Sequence, residues 1–173
     1  MSKAFYAGFA VGLLIVLIAV VISYKKFGRD LKGDPDERQL LIRGNAYKYA
    51  FFTTMIAIMA LTFLHSETDL LPITEGVGAV WSCMLGLAVF VCYCIMKDAY
   101  FGLKDKKSTF LTIMILVTVG NGLPVVMDII DGNLMENGVL GLRGFNIGAA
   151  VLFLAVIICM LIKQVVDKAE EEE

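Results

Sequence analysis

The chain has 173 residues, 58% of them hydrophobic and only 18% charged, and its mean hydropathy is +0.78. A water-soluble domain is nearer half apolar and a quarter charged, so the composition excludes an ordinary soluble globule. A formal net charge of −2 also excludes a global basic field, and no direct nucleic-acid binding is expected.

The apolar residues fall in blocks of about 20, the length a helix needs to cross roughly 30 Å of hydrocarbon. The first block, residues 5–23, contains twelve Leu, Ile, Val or Phe side chains. At about −0.3 to −0.6 kcal/mol each, these favour insertion by roughly 5 kcal/mol. Its basic cluster, Lys25, Lys26 and Arg29, follows the apolar run. A cleaved signal peptide carries its basic region in front, so the block reads as an uncleaved anchor. Further spans are predicted at about 46–64, 76–96, 109–127 and 145–162. The expected fold is therefore all-α: an integral membrane bundle of five transmembrane helices. Residues 1–168 form one domain, and residues 169–173 form a flexible acidic tail.

Basic residues in the connecting segments set the orientation. With five spans, thirteen Lys and Arg fall on one side, and only Lys3 and Arg143 fall on the other. The N-terminus is then outside and the C-terminus in the cytoplasm. Tyr24, Tyr47, Tyr49, Tyr100 and Phe101 lie near the predicted cytoplasmic interface and Trp81 in the outer half, as interfacial anchoring requires. The expected location is the plasma membrane of a bacterium.

Between the first two blocks runs Asp34-Pro35-Asp36-Glu37-Arg38-Gln39. Asp34 suits an N-cap, Pro35 the first helical position, and Glu37 the capping-box position. The helix is expected to continue through Arg43 into the second span, with a bend at Gly44-Asn45. Its apolar residues lie on several sides: Ile42, Ala46 and Tyr49 on one stripe, Leu40 and Tyr47 on another, Leu41 apart. That is not a membrane-surface helix. It suggests contact with other cytoplasmic segments or with a partner protein through Asp34, Asp36, Glu37, Arg38, Gln39 and Arg43. The plainer alternative is a capped extension of the second span with no separate role.

The run Asp36-Glu37-Arg38-Gln39, followed by Ile42, Ala46 and Phe51, resembles a pattern in small multi-pass membrane proteins of bacteria and archaea. In these an Asp-Glu-Arg motif opens the second transmembrane helix. Such proteins are often encoded beside helix-turn-helix regulators in Gram-positive bacteria, so the resemblance implies an accessory or regulatory role. It brings no catalytic residue and no cofactor.

The third span contains Gly78, Ser82 and Gly86 at four-residue spacing, the fifth Gly144 and Gly148, and the first Ala4, Gly8 and Gly12. Small residues so placed let helix backbones approach, either within the chain or in a homo-oligomer. The fourth span contains Gly120-Asn121-Gly122-Leu123-Pro124. Proline removes a backbone donor and crowds the preceding turn, so a kink or break is expected there. Asn121, Pro124 and Asn146 could then line a small polar pocket, or Asn121 could bond a neighbour within a kinked helix.

Cys83, Cys92, Cys94 and Cys159 all sit in apolar blocks and read as packing residues. His65 with Glu67, Asp69 and Glu75 lacks a second His or Cys, so no metal site is expected. Asp128, Asp131, Glu136 and Arg143 read as a solvated loop. Charged residues inside the spans are nearly absent, which argues against an ion-coupled transporter. No nucleophile–base pair or phosphate loop is present. The expectation is a non-enzymatic accessory or regulatory membrane protein with no cofactor. Its partners would be the lipid bilayer and a membrane or cytoplasmic protein. The alternative is a small transporter or ligand-binding membrane protein using the pocket at a broken fourth span.

Overall fold

A computed structural model describes residues 36–67, 71–101 and 107–171, all within the unit Pro35–Glu173. The first expected span and residues Asp34 and Pro35 of the motif lie outside the described residues. The described chain is helical, with four long helices: α1 (Glu37–Glu67), α2 (Glu75–Met96), α3 (Lys107–Ile130) and α4 (Gly144–Glu171). Each is long and apolar enough to cross a membrane, and they correspond to the second through fifth expected spans.

The helices alternate in direction. Where α1 begins, Gln39 reaches Asp98 just after α2, and Asp98 pairs with Lys163 near the end of α4. This is the motif end. At the other end Thr74 bonds Leu140, and Arg143 bonds Asp128; this is the loop end. Among the described residues α1 packs only on α2, α2 also on α4, and α4 on α3. The spatial order is therefore α1–α2–α4–α3, with α4 inserted between two helices consecutive in sequence.

Apolar surroundings explain this open arrangement. α3 contains no buried residue, although most of its side chains are apolar. Leu116, Leu123, Met127 and Ile130 all project outward. Water would penalise such a surface, and soluble monomers rarely carry one, whereas lipid does not. With no water in the hydrocarbon, the backbone must satisfy its own hydrogen bonds, which selects helices. The chain is accordingly a multi-pass membrane protein.

Where backbones approach, the side chains are small. A Cβ on Gly86 would overlap Thr54 Oγ1 and lie 2.9 Å from the Ala50 carbonyl, so α1 and α2 touch backbone to backbone there. Gly148 lies under Trp81, whose indole N–H donates to the Gly144 carbonyl at 2.8 Å and pins α2 to α4. The expected glycine ladders of α2 and α4 thus serve packing within the chain. Ala4, Gly8 and Gly12 lie outside the described residues. Trp81 acts as an interhelix pin. The buried core, Val91, Ile95, Leu152, Val156, Cys159 and Met160, lies between α2 and α4 in the motif-end half.

Four local features differ from expectation. α1 begins at Glu37, and its N-cap is Asp36, not Asp34: Asp36 Oδ1 accepts the Gln39 N–H at 2.6 Å, and Leu40 N–H reaches the Asp36 carbonyl. Asp36-Glu37-Arg38-Gln39 has the same capping spacing two residues further on, and the acid in the first turn, Glu37, meets the positive helix end. The helix passes through Gly44-Asn45 without interruption. α3 is likewise continuous through Pro124. One missing N–H removes a single rung of the ladder, and the span is not broken. α4 runs to Glu171, so the expected tail is helical for its first three residues. Ala, Glu and Lys favour helix, and Lys163 pairs with Asp167 one turn on.

Candidate functional site

Two places gather polar side chains: the motif end and a cavity at the loop end.

At the motif end the chain leaves α2 through a Schellman turn. Ala99 N–H bonds the Cys94 carbonyl at 2.8 Å and Asp98 N–H the Ile95 carbonyl at 3.2 Å. Asp98 takes the left-handed conformation, φ 55°, a position usually given to glycine. The turn is held from both sides. From α1, Arg43 Nε donates to the Ala99 carbonyl at 2.8 Å, a second guanidinium nitrogen reaches the Tyr100 carbonyl at 3.5 Å, and Gln39 Nε2 donates to the Asp98 carbonyl at 3.3 Å. From α4, Lys163 Nζ lies 2.8 Å from Asp98 Oδ2 and 2.7 Å from Asp167 Oδ1. Ala46 and Ala99 are fully buried beside this clasp.

Aromatic rings surround it. Tyr47 packs in a tilted contact on Phe90 and Tyr49 on Tyr93, while Tyr100, Phe101 and Phe110 form a cluster with centroids 5.0–5.2 Å apart. Burial pushes the Tyr100 phenol above its ordinary pKa; the Cys94 thiol adds to the rise and the Arg43 guanidinium opposes it. Tyr100 is therefore a neutral phenol in the clasp at physiological pH.

The structure divides the motif residues by direction. Asp36 caps the helix, and Gln39 and Arg43 turn inward to the clasp. Glu37 and Arg38 are exposed. The inward role of Gln39 and Arg43 follows from helical spacing, since residues four apart share a face, but their targets lie 56 to 59 residues away.

The residues of the second expected site lie on α3 and at the start of α4. Asn121 Nδ2 donates to the Val117 carbonyl of its own helix at 2.8 Å. Pro124 is exposed. Asn146 sits in the first turn of α4, its backbone N–H on the Arg143 carbonyl. Neither of the two cavities found is lined by any of these three residues.

The first cavity, about 590 Å³, lies between α1 and α2 at the loop end. Thr62, His65, Thr74 and Glu75 give it a polar wall, and Ile58, Leu61, Leu71 and Ile73 an apolar one. Thr62 and His65 are three apart on one helix face; that spacing was the available signal, and it appears only once residues 62–65 are recognised as helix. The rim is fixed from outside, because Leu140 bonds Pro72 at 2.7 Å and Thr74 at 3.1 Å. The second cavity, about 470 Å³, is an almost wholly apolar groove over α2, between α1 and α4. Among the described residues no group of three or more His, Cys, Asp or Glu side chains is placed to hold a metal ion.

Comparison of the chain with protein-family models, with curated proteins and with solved structures gives no match.

Proposed function

We propose that the chain crosses the plasma membrane of a bacterium five times, with its N-terminus outside and its C-terminus in the cytoplasm. In this reading it is a non-enzymatic accessory or regulatory protein whose cytoplasmic end docks a partner protein. Residues 5–23 supply the fifth span. The basic residues support the orientation: among the described ones, only Arg143 lies at the loop end.

The observation that carries the docking reading is the surface left free by the clasp. α1 has 31 residues, about 46 Å at 1.5 Å each, so it outreaches the hydrocarbon by about three turns. On that extension Leu40 and Leu41 are 55% and 72% exposed, beside exposed Glu37 and Arg38. Apolar side chains among charges, outside the bilayer and on a helix held rigidly by Gln39 and Arg43, suit a protein interface.

Affinity purification in mild detergent tests this directly. A stoichiometric partner should co-purify with wild type and be lost with Arg38→Glu/Leu41→Glu, while the unfolding temperature stays unchanged. Arg43→Ala is the contrasting variant, since it weakens the fold itself. Recovery of no partner, or of the same partner with the double variant, would overturn the reading. Orientation is tested separately with reporter fusions at Lys168 and in the loop around Asn137.

A further inference from the structure

We infer that the loop-end cavity between α1 and α2 binds an amphiphilic primary amine, with the ammonium at Glu75 and the apolar body between the two helices. The site stands apart from the proposed docking surface, at the opposite end of the bundle.

The packing makes the cavity. At Gly86 the two backbones are in contact. Eight residues nearer the loop end, a Cβ on Gly78 would meet only side-chain tips, Ile73 Cδ1 at 3.6 Å and Leu61 Cδ1 at 3.7 Å. The helices have diverged there, so that α1 reaches Gly78 only through the tip of the Leu61 side chain, and about 590 Å³ remains beside it. That is within the range of sites for small organic ligands, roughly 300–1,000 Å³.

The polar wall has spare hydrogen-bonding capacity. Several hydroxyl and amide side chains of the helices bond the carbonyl four residues back, as Thr54, Ser82, Thr112, Thr118 and Asn121 do. Thr62 makes no such bond. Thr74 occupies the N-cap of α2 yet forms no side-chain cap bond, although a cap threonine customarily does. The side chains of His65 and Glu75 likewise have no hydrogen bond or ion pair. Four polar side chains with unused capacity therefore converge on one cavity.

Their chemistry selects the ligand. Among the described lining residues Glu75 is the acidic one, and its carboxylate disfavours a carboxylate or phosphate ligand. Two hydroxyls, an imidazole and a carboxylate offer acceptors in several directions, which matches a group with several N–H donors. A quaternary ammonium has none and is recognised by aromatic faces instead; among the described residues the lining contains no Phe, Tyr or Trp. The apolar wall requires an alkyl or aryl body on the same molecule. Two sources present this chemistry: a free amphiphilic amine, or the ethanolamine headgroup of a lipid at the cavity mouth.

The test is calorimetric titration of the whole protein in phosphatidylcholine nanodiscs, which contain no primary ammonium. Octylamine, octyltrimethylammonium and octanoate are the probes, and empty nanodiscs give the partitioning background. Octylamine should bind saturably at one site, about tenfold or more tighter than the trimethylated analogue, and octanoate should show background heat only. Glu75→Gln should weaken octylamine about tenfold or more. Ala79→Phe, which fills the cavity from an exposed position in its lining, should abolish binding. The unfolding temperature of each variant checks that it is folded. If phosphatidylethanolamine in the disc competes with octylamine, the lipid headgroup is the source; without competition, the source is a free amine. Equal binding of all three probes, or wild-type affinity in Glu75→Gln, would overturn the proposal, even if a partner were found at the other end.

Discussion

One methyl group at Gly86 should separate α1 from α2. The Cβ of Gly86→Ala would overlap Thr54 Oγ1, lie 2.9 Å from the Ala50 carbonyl oxygen and lie 3.3 Å from Thr54 Cβ. The threonine hydroxyl cannot simply swing away without losing its 2.9 Å bond to the same carbonyl. A backbone oxygen cannot move without its helix. The helices must therefore part, with an overpacking cost of about 2–3 kcal/mol. Thr54→Ala alone removes an intrahelical bond and a methyl, a change of about 0.5–1 kcal/mol. In the double variant the overlap with the hydroxyl vanishes and the carbonyl contact remains, so about half of the loss should return. The double-mutant cycle should then show coupling of at least about 1 kcal/mol, the sign of direct contact. Unfolding in mixed micelles, followed by circular dichroism, measures all four species. Gly86→Ala within about 0.5 kcal/mol of wild type, or additive single effects, would refute the backbone-to-backbone crossing.

The clasp gives three further predictions. Arg43→Ala leaves the carbonyl of fully buried Ala99 without its donor, and should cost about 2–3 kcal/mol in the same assay, with Arg43→Lys recovering part of it. Asp98→Gly relieves a left-handed backbone position but loses a partly exposed ion pair; the two effects, each about 1 kcal/mol or less, should nearly cancel. Asp98→Val keeps the strain and loses the pair, so it should be clearly less stable than Asp98→Gly. Tyr100 is neutral in the fold to a higher pH than in the unfolded chain. The stability this contributes is complete below the ordinary tyrosine pKa of about 10 and is lost as pH rises above it. Unfolding midpoints should therefore fall on alkalinisation in wild type and fall less in Tyr100→Phe.

What could be read in advance follows from which forces are local. Hydropathy is summed along the chain, so the blocks at 46–64, 76–96, 109–127 and 145–162 were visible, and α1 to α4 cover them. Capping is nearly local, and a helix start near residues 34–39 was legible. Asp34 and Asp36 both stand three residues before a Glu or Gln, and the cap expected at Asp34 is instead at Asp36, as the Asp36–Gln39 bond shows. Pro124 drew attention because a missing donor is conspicuous, yet its effect on an otherwise bonded helix is one rung. The clasp and the cavity were not legible, because each joins residues from separate helices. Arg43 finds its carbonyls 56 positions on, and Thr62 and His65 meet Thr74 and Glu75 only because the Gly86 crossing holds two helices together at one level and lets them diverge at another.

That divergence explains why the two ends differ in character. At the motif end, side chains from α1 and α4 satisfy the carbonyls and the carboxylate of the turn after α2, so three helices are tied and only outward side chains remain available. At the loop end the ties run elsewhere: Thr74 to Leu140, Trp81 to Gly144, and Arg143 to both Asp128 and the Asn133 carbonyl. All of these join α2, α3 and α4 or their loops, and none holds α1. Below Gly86 the α1–α2 contact is fixed by the clasp; above it, among the described residues, no polar contact closes the gap. A surface suited to a macromolecule at one end and a space suited to a small molecule at the other are thus consequences of one feature, the placement of every described side-chain hydrogen bond and ion pair between α1 and its neighbours at the end where α1 begins.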